Sequence, residues 1–192
     1  MTKAELRRTF LERRAELSET ESADLSRRIA DRFFSSFALS SVRVLSIFIR
    51  IPRFNEIDTS LIYERVWRDL PKIRTVAPAT DLETAAMESV EFDRLSRLEE
   101  NKWGLREPVG QCIDPTVIDF VIVPLLCFDP AGHRVGYGKG FYDRFLAALG
   151  EHTVKVGLSY FEPVDSIPDM GPHDIPLDAC VIPDTVFRFG PV

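Results

Sequence analysis

Apolar residues recur along the chain in two rhythms. Ile118, Phe120, Val121, Ile122 and Val123 form an almost unbroken apolar run, as do Val42, Val44, Leu45, Ile47, Phe48 and Ile49. Such runs suit strands covered on both faces. Val154, Val156 and Leu158 alternate as a further strand, Ala179, Val181 and Ile182 form the last one, and Ile73 to Ala77, ended by Pro78, and Ser89 to Phe92 add shorter ones. Between them the period changes. Leu25, Ile29, Phe33 and Phe37 recur every four residues with Ala30 and Phe34 beside them, Leu61, Ile62, Val66 and Leu70 mark another helix, and Phe141, Phe145, Leu146 and Leu149 a third. Thr2 with Glu5 and Ser18 with Glu21 have capping-box spacing and start two helices near residues 3 and 19. Strands alternating with helices predict an α/β fold: three layers, with an open, mostly parallel twisted sheet and helices on both faces, in one domain over 1–192.

Composition narrows the class. The 192 residues are 45% hydrophobic and 28% charged, ordinary for a globular protein, and the net charge of −6 argues against a general nucleic-acid or membrane surface. An anionic ligand must then meet a local basic cluster. Cys112, Cys127 and Cys180 are odd in number and widely spaced, which argues against a disulfide framework or zinc site and fits a reducing compartment. The first thirty residues are charged, and no run nears the roughly 20 apolar residues of a membrane span. A cytoplasmic protein, acting as a monomer on small molecules, is expected.

The chemistry concentrates after the 118–123 strand. Pro124 ends the ladder, Asp129, Pro130, Ala131 and Gly132 supply a turn, and Gly136, Gly138 and Gly140 alternate before the helix that starts at Phe141. Alternating glycines let backbone approach a ligand closely, and a helix N-terminus offers free N–H groups to phosphate. A Walker A loop is excluded because His133 and Gly140 stand where it needs glycine and Ser or Thr, and a dinucleotide fingerprint because Phe141 replaces its third glycine. What remains is a G-x-G-K-G loop with Arg134 and Lys139, followed by Tyr142 and Asp143. Two cations, free amides and a carboxylate suit a magnesium-bound polyphosphate. A tight turn joining strand to helix is the plainer reading, with Asp143 an acid suited to a first helical turn.

The first helix is basic within an acidic chain. At about 100° per residue Lys3, Arg7 and Arg14 fall within about 40° of one another, beside the stripe of Leu6, Phe10 and Leu17. They read either as a solvated basic face or as cations bordering a site.

The stretch PLLCFDPAGHRVGYGKGFYD resembles the C-terminal signature of the 5-formyltetrahydrofolate cyclo-ligase family, and SIFIRIPRFNEIDT and Lys3-Ala-Glu-Leu-Arg7 resemble further segments of it. The resemblance implies a sheet arrangement like that of the NagB/RpiA/CoA-transferase-like fold, with ATP and Mg2+ as cofactors. Lys3 and Arg7 would then reach the ATP phosphates, and the loop formed by Arg134, Val135, Gly136, Tyr137, Gly138, Lys139, Gly140, Phe141 and Tyr142 would hold them. Lys139 and Arg134 would be the catalytic cations. Glu56, Phe48, Tyr142 and Trp103 would line the folate, with Glu107 a weaker contact, and Asp143 and Asp178 would hold magnesium. Leu125 stands where the family commonly has glycine, Phe141 where it has tyrosine, and Ala79-Thr80 where an arginine often follows Pro78. Cys127, beside the loop, reads as packing.

The implied reaction is ATP-dependent closure of 5-formyltetrahydrofolate to 5,10-methenyltetrahydrofolate, releasing ADP and phosphate. A formyl amide is a poor electrophile and its oxygen a poor leaving group, so phosphorylation must activate that oxygen before the neighbouring nitrogen closes the ring. Two other readings stand beside it: another phosphoryl-transfer or sugar-phosphate enzyme on the same framework, and a non-catalytic nucleotide-binding module.

Overall fold

A computed structural model describes residues 1–81, 86–101 and 104–190. Two helices open the chain, α1 (Lys3–Glu16) and α2 (Glu19–Ser36), each behind the capping box its sequence announces. Ser18 Oγ accepts from Glu21 N at 3.2 Å while Ser18 N donates to Glu21 Oε2 at 2.9 Å. Ser18→Ala leaves an N-terminal N–H of α2 unpaired, and a loss of about 1 kcal/mol is expected from the urea midpoint at unchanged slope.

Strand β1 (Val44–Ile47) leads to α3 (Ser60–Asp69), then to β2 (Arg74–Asp81) and β3 (Ala86–Glu91). Short strands β4 (Leu98–Glu100), β5 (Arg106–Pro108) and β6 (Cys112–Ile113) precede the central strand β7 (Phe120–Pro124). A small hairpin, β8 (Cys127–Phe128) and β9 (Arg134–Val135), carries the chain into α4 (Phe141–Ala147), and β10 (Val154–Leu158), β11 (Ala179–Val181) and β12 (Val186–Arg188) complete it. The main sheet runs β12-β11-β10-β7-β1-β2-β3-β6. Its centre, from β11 to β2, is parallel, and antiparallel strands close both edges.

Period-two alternation in the central strands divides the core. Leu45, Ile47, Phe120 and Ile122 face α2 and α3 together with Phe33 and Val66, whereas Val44, Val121 and Val123 face Phe145 and Leu146 of α4. Burial on both faces is why these strands read as continuous apolar runs. Helix α1 lies elsewhere: Leu6 and Phe10 pack on Leu126, Cys127 and Val135 of the β8–β9 hairpin.

One detail departs from the sequence expectation. Strand β2 does not stop at Pro78 but continues to Asp81, with Pro78 opposite Ser89. Its partner β1 pairs only as far as Val76, so the proline removes no bond from that ladder. Leu125 fits where the family commonly has glycine because Gly157, on the neighbouring strand, leaves the room: a Cβ there would stand 2.5 Å from Leu125 Cδ2.

The strand order reverses between β1 and β7: from β1 the chain builds outward through β2 and β3, then returns to β7 and builds the other way through β10 and β11. A crevice outside the C-terminal ends of the strands at such a switch point is where open α/β sheets bind ligands.

Candidate active site

A cavity of about 740 Å³ occupies that crevice. Phe48 and Ile49 beyond β1, Pro78 of β2 and Pro124 of β7 form its floor, and the loop 134–143 and the start of α1 form its walls.

The loop is shaped by its glycines. Gly138 (φ 84°) and Gly140 (φ 69°) occupy the left-handed region, and nothing stands within 4 Å of where a Cβ on Gly136 would lie. Arg7 fills the space behind Gly138: a Cβ there would stand 2.8 Å from its guanidinium carbon, and its Nε donates to Gly136 O at 2.9 Å. Side chains at 136 and 138 would therefore obstruct the cavity or expel Arg7.

Four cations from the sequence expectation line this cavity: Lys3, Arg7, Arg134 and Lys139. Lys3 Nζ donates to Asp174, which also accepts from Gly171 N at 2.6 Å, and salt-bridging holds the Asp174 carboxyl below the usual range despite partial burial. Arg134 is 7% exposed, and it donates to Asp143 Oδ1 at 2.6 Å and to Ile175 O. Lys139 is exposed and has no ion-pair partner among the described residues.

The same cavity is lined by Phe48, Glu56 and Tyr142, and by Phe54, Arg106 and Glu107. Glu56 lies ahead of α3 and is 4% exposed, and Oε1 accepts from the Tyr137 hydroxyl and Oε2 from Ile51 N at 2.6 Å. Burial pushes its carboxyl up, opposed by Tyr137, Ile51 and Arg14. Glu107 Oε1 accepts from Thr80 N at 2.7 Å, which ties down the Ala79-Thr80 segment.

A cavity lined both by cations and by a buried carboxylate among aromatic rings fits a phosphate donor beside a ring-bearing acceptor. The model of the 5-formyltetrahydrofolate cyclo-ligase family matches residues 1–183. The chain belongs to that family. The 5-formyltetrahydrofolate cyclo-ligase of Mycoplasma pneumoniae is 29% identical over 182 residues, covering 94% of this chain and 98% of the relative. That of Escherichia coli K12 is 27% identical over 188 residues, covering 93% and 98%. The NMR structure of Aquifex aeolicus 5,10-methenyltetrahydrofolate synthetase superposes with a TM-score of 0.84 at 29% identity, covering 100% of this chain and 95% of that one.

For this cyclo-ligase family member, the structure brings together Lys3, Arg7, Phe48, Glu56, the loop residues 134–142 and Asp143 around one cavity. It does not bring Asp178. That carboxylate accepts from Lys155 N at 2.7 Å, sits 3.0 Å from Lys155 Nζ, and precedes β11, so it lies at the N-terminal edge of the sheet, opposite the crevice. The expectation that Asp178 holds magnesium is thereby corrected; the aspartate of the same segment that lines the cavity is Asp174. Trp103 lies outside the described residues.

Among the described residues no cluster of three or more His, Cys, Asp or Glu side chains could cage a metal ion. Magnesium that arrives on a polyphosphate needs only one or two carboxylates, and Asp143 is the carboxylate beside the loop that could supply one: its Oδ1 is held by Arg134 and Ile175 N, and its side chain is 27% exposed on the cavity. Cys127 is fully buried under α1, and burial pushes its thiol up to about 12. Thiol-alkylating reagents at pH 7 are therefore expected to leave Cys127 unmodified in peptide mass maps of the folded protein. Among the described residues no helix is long and apolar enough to cross a membrane.

Proposed function

We propose that this protein catalyses the ATP-dependent conversion of 5-formyltetrahydrofolate to 5,10-methenyltetrahydrofolate. What supports the reading is that one cavity carries a phosphate-type glycine loop, with a lysine that has no ion-pair partner among the described residues, and a buried carboxylate among aromatic rings. A cavity of about 740 Å³ is within the range that ligand sites occupy.

In this reading ATP lies along the loop, its phosphates met by Lys139, Arg7 and the loop amides, with Lys3 beside them. Arg134 keeps Asp143 in place through one amino group while the other donates to Ile175 O. Magnesium, bound with ATP beside Asp143, would supply charge neutralisation on the phosphates. The pterin lies over Phe48 and Tyr142 against Glu56. The formyl oxygen takes the γ-phosphoryl group and ADP leaves; the neighbouring folate nitrogen then bonds to the formyl carbon, and as the C–O bond breaks the phosphate departs with the proton that nitrogen gives up. No side-chain nucleophile is needed. The protein contributes positioning, charge neutralisation and exclusion of water.

Mixing the purified protein with 5-formyltetrahydrofolate, ATP and magnesium is expected to raise absorbance in the methenyl-folate band, and omission of ATP to abolish the rise. Folded protein that binds ATP without such growth would redirect the reading to another phosphoryl acceptor.

A further inference from the structure

Behind the folate wall of the cavity three side chains from three separate segments meet, two of them buried and Tyr137 between them half-buried. Arg14, in the last turn of α1, is 3% exposed. Its Nη1 donates to the Tyr137 hydroxyl at 3.1 Å, its Nη2 to Leu125 O, and its Nε has no partner among the described residues. Tyr137, between two loop glycines, donates its own hydroxyl hydrogen bond to Glu56 Oε1. Asn55, with φ 47°, donates from Nδ2 to Arg14 O at 2.8 Å and to Leu17 O at 3.1 Å, so the segment that carries Glu56 is pinned to the end of α1.

The direction of this chain is fixed by chemistry. A guanidinium only donates, so the Tyr137 oxygen must accept from Arg14, and its single proton has nowhere to go but Glu56. Ile51 N occupies the other carboxylate oxygen as a donor. Both Glu56 oxygens are thus acceptors, and a proton on either would meet an existing donor. Glu56 lines the cavity, and the lone pairs left over suit a ring edge that presents N–H groups. Leaving such a buried acceptor unpaired is costly, which makes the arrangement selective.

We propose that Arg14 and Tyr137 form a relay that holds Glu56 as a two-oxygen acceptor for the N–H edge of the pterin, making Arg14 a positioning residue that never touches substrate. This rests on the cyclo-ligase reading of the cavity. Helix α1 then serves both substrates, with Lys3 and Arg7 toward the phosphates and Arg14 behind the folate.

Tyr137→Phe is the decisive variant, because the ring keeps its packing on Phe54 at 5.1 Å between centroids and only the relay is cut. Loss of one hydrogen bond to a charged group predicts a rise of about tenfold to a hundredfold in KM for 5-formyltetrahydrofolate, with KM for ATP within about twofold. Arg14→Met is expected to move the same way and Arg14→Lys to recover part of the loss; if Arg14→Met does not fold, Tyr137→Phe still decides. A second readout needs no substrate: the Glu56 carboxyl, followed by 13C NMR in glutamate-labelled protein, should titrate about one pH unit or more higher in Tyr137→Phe than in the wild type. An unmoved Glu56 titration, or equal rises in both KM values, overturns the relay. Absence of turnover by the wild type would instead sink the cyclo-ligase reading, and the titration would still decide whether the relay exists.

Discussion

Lys139→Ala is expected to lower kcat/KM by about 10²- to 10³-fold, the cost of deleting one preorganised charge from the place where phosphate charge develops. The magnitude follows from what the neighbouring cations are doing. Lys3 is bonded to Asp174, Arg134 to Asp143 and Ile175 O, and Arg7 to Gly136 O. Lys139 sits between two glycines of positive φ and lacks an ion-pair partner among the described residues, so its charge can turn to a phosphate without breaking an existing pair. Because it is exposed, its removal should change stability by no more than roughly 0.5 kcal/mol. Steady-state kinetics against ATP, with thermal unfolding as the control on the fold, is the measurement. Unchanged kinetics would remove Lys139 from the mechanism and leave the loop amides and Arg7 as the phosphate contacts.

The central strands and the loop were legible because each carries its own signal. Strands β1 and β7 are buried on both faces and so are apolar throughout, and the glycines at 138 and 140 stand where positive φ is required. Strand β12 and the β4–β5 and β8–β9 ladders were not legible: two or three residues are too few to show a period, and their pairing partners are set by the rest of the fold. Arg14 shows a different limit. Its helical bearing matches Lys3 and Arg7, but eleven residues at about 1.5 Å each carry it roughly 16 Å along the axis, from the phosphate wall to the space behind Tyr137. Sharing a face is not sharing a site. Asp174 and Asp178 fail to share one for a similar reason, since four residues of extended chain can cover about 13 Å. That span takes the backbone from the crevice, where Asp174 meets Lys3, to the far edge of the sheet, where Asp178 meets Lys155.

The two aspartates named as metal ligands on sequence grounds should therefore separate cleanly when each is changed to asparagine. Asp143→Asn retains an oxygen for Arg134 and Ile175 N but removes the charge on the cavity wall. The rate is expected to fall about 10²-fold, and the magnesium concentration for half-maximal rate to rise about tenfold or more. Asp178→Asn should leave the magnesium requirement where it is. Its effect belongs to stability: with the Lys155 ammonium at 3.0 Å and the Lys155 N–H at 2.7 Å, weakening a charged acceptor at the start of β11 should cost about 1–2 kcal/mol. Titrating magnesium at saturating ATP and folate for both variants, beside urea unfolding, distinguishes the two roles. A raised magnesium requirement in Asp178→Asn with none in Asp143→Asn would reverse the assignment. It would require the segment from Asp174 to Asp178 to leave the β11 edge when ATP binds, giving up the bonds to Lys155 that now hold it there.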